Sequence, residues 1–237
     1  MGLNADIEAA VHSIVSTRWS IREGTVVPET ESVSLSDGAV LLDAVYLYAD
    51  MADSTGLARD FPRETAGKVV RAYLDATCRV LRDEGGAIRS FDGDRVMAIF
   101  VGGSKNTTAA RAGLKIKYVV QKIVRPAVEA WFPSIKSKGF ELTHCVGIAS
   151  GSALIVRGGV RGNNDLVSIG RPPNVAAKLS EVRLHPYCTY ITEEVYNKLA
   201  DEAKFGGSDE QNMWQERERE VGGVKATVYR SSYWWTL

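Results

Sequence analysis

This chain reads as an α+β sandwich in which two long helices cover one face of a mostly antiparallel sheet. Three features support that reading. The elements run strand, helix, hairpin, helix, hairpin and then alternate. Two long segments carry apolar residues at helical spacing. Between them "RSFDGDRVMAIF" (89–100) joins two short apolar runs through Asp92-Gly93, a strong hairpin signal. The uncovered face of such a sheet has to bury something else, which predicts a second subunit.

Ile7, Val11, Ile14 and Val15 lie at helical spacing within residues 4–19, expected to be an ordinary packing helix or else an amphipathic dimer clasp. "REGTVVPETESVSLSDGAV" is rich in Gly, Pro, Ser and acids and suits a linker or edge segment. Residues 1–39 are therefore expected to be a helix and extended segment ahead of a main domain, 40–237. "LLDAVYLYAD" is a compact strand that stops at Asp50, and "MADSTGLA" is turn-like. The first long helix follows, with Val69, Val70, Tyr73, Leu74, Val80 and Leu81 as its buried stripe and Gly85-Gly86 as its end.

After the hairpin, whose second strand buries Val96, Ala98 and Phe100, the second helix starts at "GGSKNTT". Asn106 or Thr107 is the expected cap, and Pro126 should kink or break the helix before about Trp131. "ELTHCVGIAS" and "SALIVRGG" are expected to pair around a Gly-Ser turn, with "NDLVSIG" as a further strand. "RPPNVAAKLSEV" is a helix with prolines in its first turn, where they are tolerated. "YCTYIT" is a strand, "EEVYNKLADEA" a helix, and "MWQERERE" with "VKATVYRSS" a closing hairpin. The Trp234-Trp235 tail either packs back on the domain or covers a subunit seam.

Hydrophobic content is 45%, charged content 24% and the net charge zero, so no global field points to nucleic acid or an anionic membrane. Cys78, Cys145 and Cys188 are odd in number and widely spaced, which suits buried thiols in a reducing compartment. His12, His144 and His185 share no metal-ligand spacing. The N-terminal residues lack the basic leader of a signal peptide and the Ser or Thr of a myristoylation signal, and no apolar run is long enough to cross a membrane. A cytoplasmic protein is expected.

Asp50 ends one strand and Asp94 begins the strand after the hairpin. Neighbouring strands would bring both carboxylates to one edge, where two bare acids repel and a hard divalent cation relieves them. Two metals about 4 Å apart would stabilise both an attacking oxygen and a leaving phosphate. The loop "MADSTG" would aim backbone N–H groups and the Ser54 and Thr55 hydroxyls at phosphates, ahead of a helix start.

Three stretches, "VYLYADMADSTGL", "GGAIRSFDGDRVMAIF" and "VSIGRPPNVAAKLSEV", resemble class III nucleotide cyclases in order and spacing, over roughly residues 40–232. The resemblance implies a ferredoxin-like cyclase sandwich, with 40–237 as the catalytic domain and a homodimer whose active sites lie in the interface. It implies two divalent metal ions, Mg²⁺ or Mn²⁺, held by Asp50, Asp94 and the Met51 carbonyl. Met51, Ala52, Asp53, Ser54 and Thr55 would face the triphosphate. Asn174 matches the residue that orients the ribose, and Lys178 stands where the family usually has an arginine that stabilises charge on the phosphate. The 3′-hydroxyl would attack the α-phosphate in line and expel pyrophosphate.

Where the chain departs from the family, its specificity is in play. Lysine at 178 keeps the charge and loses the bidentate fork, so either a point charge suffices or Arg171 assists. The two base-reading positions hold Ser90 and Val167, neither the adenylyl nor the guanylyl pair. The phosphate-contacting lysine corresponds to Arg219 or Lys225. Tyr48, on the same face as Tyr46, either lines the base pocket or is a packed sheet aromatic.

These departures resemble the pyrimidine cyclases of bacterial antiphage (Pycsar) systems, and the compact size resembles the uridylate branch. The implied activity is UTP to 3′,5′-cyclic UMP, with a separate cyclic-nucleotide-sensing effector reading the product. The alternatives are CTP, ATP less readily, and a cyclase-like module that binds nucleotide or a partner protein without turnover.

Overall fold

The structure is a computed structural model that describes residues 2–237. Its strands are β1 (Ser20–Gly24), β2 (Gly38–Met51), β3 (Ala87–Asp92), β4 (Arg95–Phe100), β5 (His144–Val160), β6 (Asn163–Ile169) and β7 (Thr189–Thr192). A two-residue ribbon follows, β8 (Phe205–Gly206) with β9 (Gln211–Asn212), and then β10 (Gln215–Val221) and β11 (Val224–Ser231). Its helices are α1 (Leu3–Ser16), α2 (Ser54–Asp60), α3 (Arg63–Asp83), α4 (Lys105–Val119), α5 (Arg125–Trp131), α6 (Pro133–Ser137), α7 (Arg171–Ser180), α8 (Glu193–Tyr196) and α9 (Asp201–Lys204). Nine strands form one sheet in the order β10-β11-β7-β5-β2-β4-β3, with β1 beside β2 and β6 beside β5. The pairs β1–β2 and β5–β7 are parallel and the others antiparallel.

Alternation along β2 divides the core in two. Val45, Leu47 and Ala49 pack with Val96, Ala98 and Phe100 of β4 under Val69, Tyr73 and Leu81 of α3 and Ala109, Leu114 and Ile116 of α4. The two long helices therefore cover one face, as expected. The opposite face is not left wholly to a partner: Leu42, Ala44 and Tyr46 pack with Val175, Ala176 and Leu179 of α7.

Helix α7 approaches the sheet backbone over Gly147 of β5. A Cβ at that position would lie 2.1 Å from the Ala176 carbonyl oxygen and 2.5 Å from the Ser180 nitrogen. Gly147→Ala is expected to cost about 2–3 kcal/mol by overpacking, a fall of roughly 5–10 °C in the melting midpoint for a domain of this size. A midpoint equal to wild type in a thermal melt would contradict this seating of the helix.

Several local expectations are corrected. The Gly-Ser turn does not form: β5 runs unbroken through Gly151, paired with β2 from Ala39↔Val156 to Met51↔His144. A long ladder of backbone bonds outcompetes one local turn, and Gly151 answers with φ +148. The turn-like "MADSTGLA" contains α2. Neither Asn106 nor Thr107 caps α4; Ser104 holds that position without a side-chain bond, and the buried Thr107 hydroxyl accepts from the Ala200 amide at 2.9 Å. Pro126 is absorbed by a π-helical turn, Val120–Val124, that widens the helix just before α5. The helix expected over "EEVYNKLADEA" is two short ones, α8 and α9.

Helix α1 forms but buries none of its residues, so it is not an ordinary packing helix within the chain. From the segment ahead of residue 40, β1 joins the sheet and Val33 enters the core. The C-terminal tail packs back on the domain: the Trp235 amide donates to the Leu114 carbonyl at 3.2 Å, and Lys122 Nζ lies 4.6 Å from the Trp234 ring. Cys145 and Cys188 are buried, Cys78 is half-buried, and all three are free thiols. No helix among the described residues is long and apolar enough to cross a membrane.

Candidate active site

The alternation that sends Ala49 and Met51 into the helix-covered core turns Tyr46, Tyr48 and Asp50 to the other face. Asp50 is the cross-strand partner of Arg95 on β4, and Asp94 is the residue before it. Asp94 thus occupies the second position of the β3–β4 turn, not the first of the strand. Gly93 takes φ +61 at the first position, as a tight hairpin turn requires.

The two carboxylates are close enough for the charge of Asp94 to act on Asp50. Burial pushes the Asp50 carboxyl up, Arg183 pulls it down, and the charge of Asp94 raises it again. Asp94 Oδ2 is buried and has no hydrogen-bond partner. An anionic oxygen stripped of water without a donor is costly unless a cation meets it. The donors here (two carboxylates and the Met51 carbonyl) are all hard oxygens, which suits Mg²⁺ or Mn²⁺. Among the described residues no group of three or more His, Cys, Asp or Glu side chains could hold a metal, so an ion here needs oxygens from backbone, water and substrate as well.

The loop after Asp50 is shaped by Asp53, which adopts φ +56 and caps α2 by accepting the Gly56 amide at 3.1 Å. A Cβ on residue 56 would come within 2.4 Å of both Asp53 carboxylate oxygens, so glycine is what the cap allows. Ala52 is tied back through its amide to the Thr143 carbonyl at 2.9 Å, while Ser54 is half-buried and Thr55 exposed at the first turn.

Ser90, Met97 and Tyr48 are successive cross-strand partners on β3, β4 and β2, two residues along the ladder from Asp50 and on the same face. The Arg95 guanidinium lies 5.5 Å over the Tyr48 ring and is held by Asp92 at 2.7 Å and Glu181 at 3.2 Å. The other predicted residues are not brought to this point. Asn174 and Lys178 are exposed one turn apart on the outer face of α7, and among the described residues neither bonds to Asp50 or Asp94. The Lys178 stem instead runs beside the β10–β11 turn, 3.7 Å from where a Cβ on Gly222 would stand. Val167 is exposed on β6 opposite Val156, toward the far end of β5 from Cys145, the partner of Asp50. Arg171 is at the other end of α7 and pairs with Glu194 at 2.9 Å.

Sequence reasoning missed Arg183. Its Nη2 donates to Asp50 Oδ2 at 2.7 Å and to the Met51 carbonyl at 3.4 Å, and its Nη1 to the Ser180 and Val182 carbonyls at 2.6 and 3.2 Å. It follows the end of α7 in a segment with no motif, so no sequence signal marks it. Arg183 also lines a cavity of about 500 Å³ with Asp53, His144, Tyr187 and Cys188. Burial holds the His144 imidazole neutral, its pKa lowered to about 3, and neither ring nitrogen has a partner.

A strand-end aspartate, a second aspartate in the adjoining hairpin turn and an exposed Asn–Lys helix face are the features expected of a class III nucleotide cyclase. The fold agrees: the adenylyl cyclase CyaB from P. aeruginosa superposes with a TM-score of 0.62 at 19% identity, over 81% of this chain and 95% of that one. No protein-family model matches. At the level of sequence, the chain is 42% identical to a uridylate cyclase of Rhodovulum sp. (strain MB263), over 99% of this chain and 98% of that protein. It is 39% identical to a uridylate cyclase of Xanthomonas perforans over the whole of both. The chain belongs to the uridylate cyclase family.

Proposed function

We propose that this enzyme converts UTP to 3′,5′-cyclic UMP and pyrophosphate at two sites in a homodimer. The observation that carries the chemistry is the buried, unpartnered Asp94 Oδ2 beside Asp50, a pocket of negative charge suited to cations under a triphosphate. Asp50, Asp94 and the Met51 carbonyl would hold the two ions. Bound divalent metal supplies charge neutralisation on the triphosphate and makes the 3′-hydroxyl easier to deprotonate.

The chain's own residues do the positioning. The loop from Met51 to Thr55 faces the phosphates, and Asn174 from the partner orients the ribose. The 3′-hydroxyl gives its proton to water and its oxygen bonds the α-phosphorus as the bond to the bridging oxygen breaks and pyrophosphate leaves. The partner's Lys178 offsets the charge that develops, as a point charge in place of a guanidinium fork. In this reading Lys178 acts without Arg171, which pairs with the Glu194 carboxylate.

Uracil is the base we assign, on the names of the full-length relatives and on Ser90, whose hydroxyl donates or accepts in the Tyr48 row, two residues from Asp50. In this reading Tyr48 in the same row flanks the base, Val167 approaches it from the partner, and the product acts in the cytoplasm on a separate effector in antiphage signalling.

Incubation of the pure protein with UTP, CTP, ATP and GTP in turn, with Mn²⁺, should give cyclic UMP at least about tenfold faster than any other cyclic product, a gap of roughly 1.4 kcal/mol in transition-state binding. Identification of products by mass decides it. Cyclic CMP as the main product would move the assignment to the cytidylate reading, and no cyclic product from any nucleotide would leave a binding module.

A further inference from the structure

We infer that Arg183 is a built-in counter-cation that closes the Asp50 side of the metal site and must let go before a metal enters. The inference rests on the metal-site reading above and goes beyond it. The guanidinium does not merely lie near Asp50. One nitrogen, Nη2, contacts both Asp50 Oδ2 (2.7 Å) and the Met51 carbonyl (3.4 Å), two of the oxygens assigned to the ions. A cation held by those oxygens and this N–H group cannot occupy the same space.

The hold is divided between two arms. Nη1 is fastened to the Ser180 and Val182 carbonyls at the end of α7, so Nη2 can be released while the side chain stays tethered there. Room exists for that release: the Arg183 side chain is 38% exposed and borders the cavity of about 500 Å³, whereas the Asp50 side chain is only 14% exposed.

Charge explains why such a latch is useful. Two carboxylates with one guanidinium leave a net negative charge, and Asp94 Oδ2 is still unpartnered. The site is therefore kept folded without metal, yet remains attractive to a divalent ion, which outcompetes a single positive charge most readily when a triphosphate arrives with it. The neighbouring Arg95 acts on Asp50 through its charge, but its side-chain hydrogen bonds go to Asp92 and Glu181 and not to Asp50.

Mn²⁺ binding to the nucleotide-free protein, followed by the free-ion EPR signal, tests this directly. Arg183→Gln should bind Mn²⁺ about tenfold more tightly than wild type, since the competitor is gone. Its melting midpoint without metal should fall, and the rise on adding Mn²⁺ should exceed that of wild type. Equal or weaker Mn²⁺ affinity would overturn the latch.

Asp50→Asn and Asp94→Asn are the controls. If both abolish Mn²⁺ binding while Arg183→Gln leaves affinity unchanged, the latch alone fails; if binding survives in both, the metal site itself is wrong. Should Arg183→Gln not fold, the wild-type protein still answers. Titration with Mg²⁺ should move the Arg183 Nε–H resonance in step with saturation, and a resonance that stays fixed as the site fills would refute the displacement.

Discussion

Asp94→Asn is expected to reduce cyclic nucleotide formation by a factor of about 10³ or more while leaving the melting midpoint unchanged or slightly raised. The two halves of that expectation come from one atom. Asp94 Oδ2 is buried with no donor, so in the metal-free chain its charge is a cost that amide replacement removes. In the active complex the same charge would hold a cation, and an amide cannot replace it.

Asp50→Asn should lose activity to a similar extent but behave differently in a melt. It breaks the pair with Arg183, whose side chain is 38% exposed, and should cost about 1 kcal/mol. A thermal melt in metal-free buffer beside a product assay separates the two substitutions. More than a tenth of wild-type turnover in either would defeat the assignment of these acids to the ions. A lowered midpoint for Asp94→Asn would show that the carboxylate has a structural partner after all.

The parts of this site that were legible in the sequence are those specified by local chemistry. A β-rich run stopped by Asp50, a Gly-containing turn before Arg95 and prolines opening α7 each carry their conformation in a few adjacent residues. The alternation along β2 also sorted Tyr46 and Tyr48 onto one face without any knowledge of the partners.

What could not be read depended on contacts distant in the chain. The Gly151-Ser152 step looks like a turn in isolation and is held straight by β2, more than a hundred residues earlier. Arg183 has no motif because its role comes from where the segment after α7 lands, against the end of β2. Helix α1 was legible as a helix, since spacing sets that, but its lack of intramolecular burial was not. Periodicity identifies an apolar stripe and leaves open what covers it.

The separation of the two predicted half-sites leads to a mixing experiment with a defined yield. Asp50 and Asp94 sit at the β2 and β3–β4 ends, while Asn174 and Lys178 face outward from α7, with the Lys178 stem along the β10–β11 turn. If one catalytic site needs the acids of one protomer and the helix face of the other, Asp50→Asn and Lys178→Ala homodimers should each be nearly inactive. Co-refolded in equal amounts, they should recover activity. In a mixed dimer one site receives both lesions and is dead, and the other receives neither and is intact. Random association makes half the dimers mixed, so about a quarter of wild-type activity should return.

The same experiment with Asp50→Asn and Asp94→Asn should recover nothing. Those lesions strike the same half-site, so every site in the mixed dimer carries one of them. Restoration near a quarter in the first mixture and none in the second requires catalytic residues shared across a two-fold interface. No recovery in the first mixture, with mixed dimers confirmed by mass, would place Lys178 and Asp50 of one chain at the same site. The arrangement of α7 over β5 would then have to change during turnover.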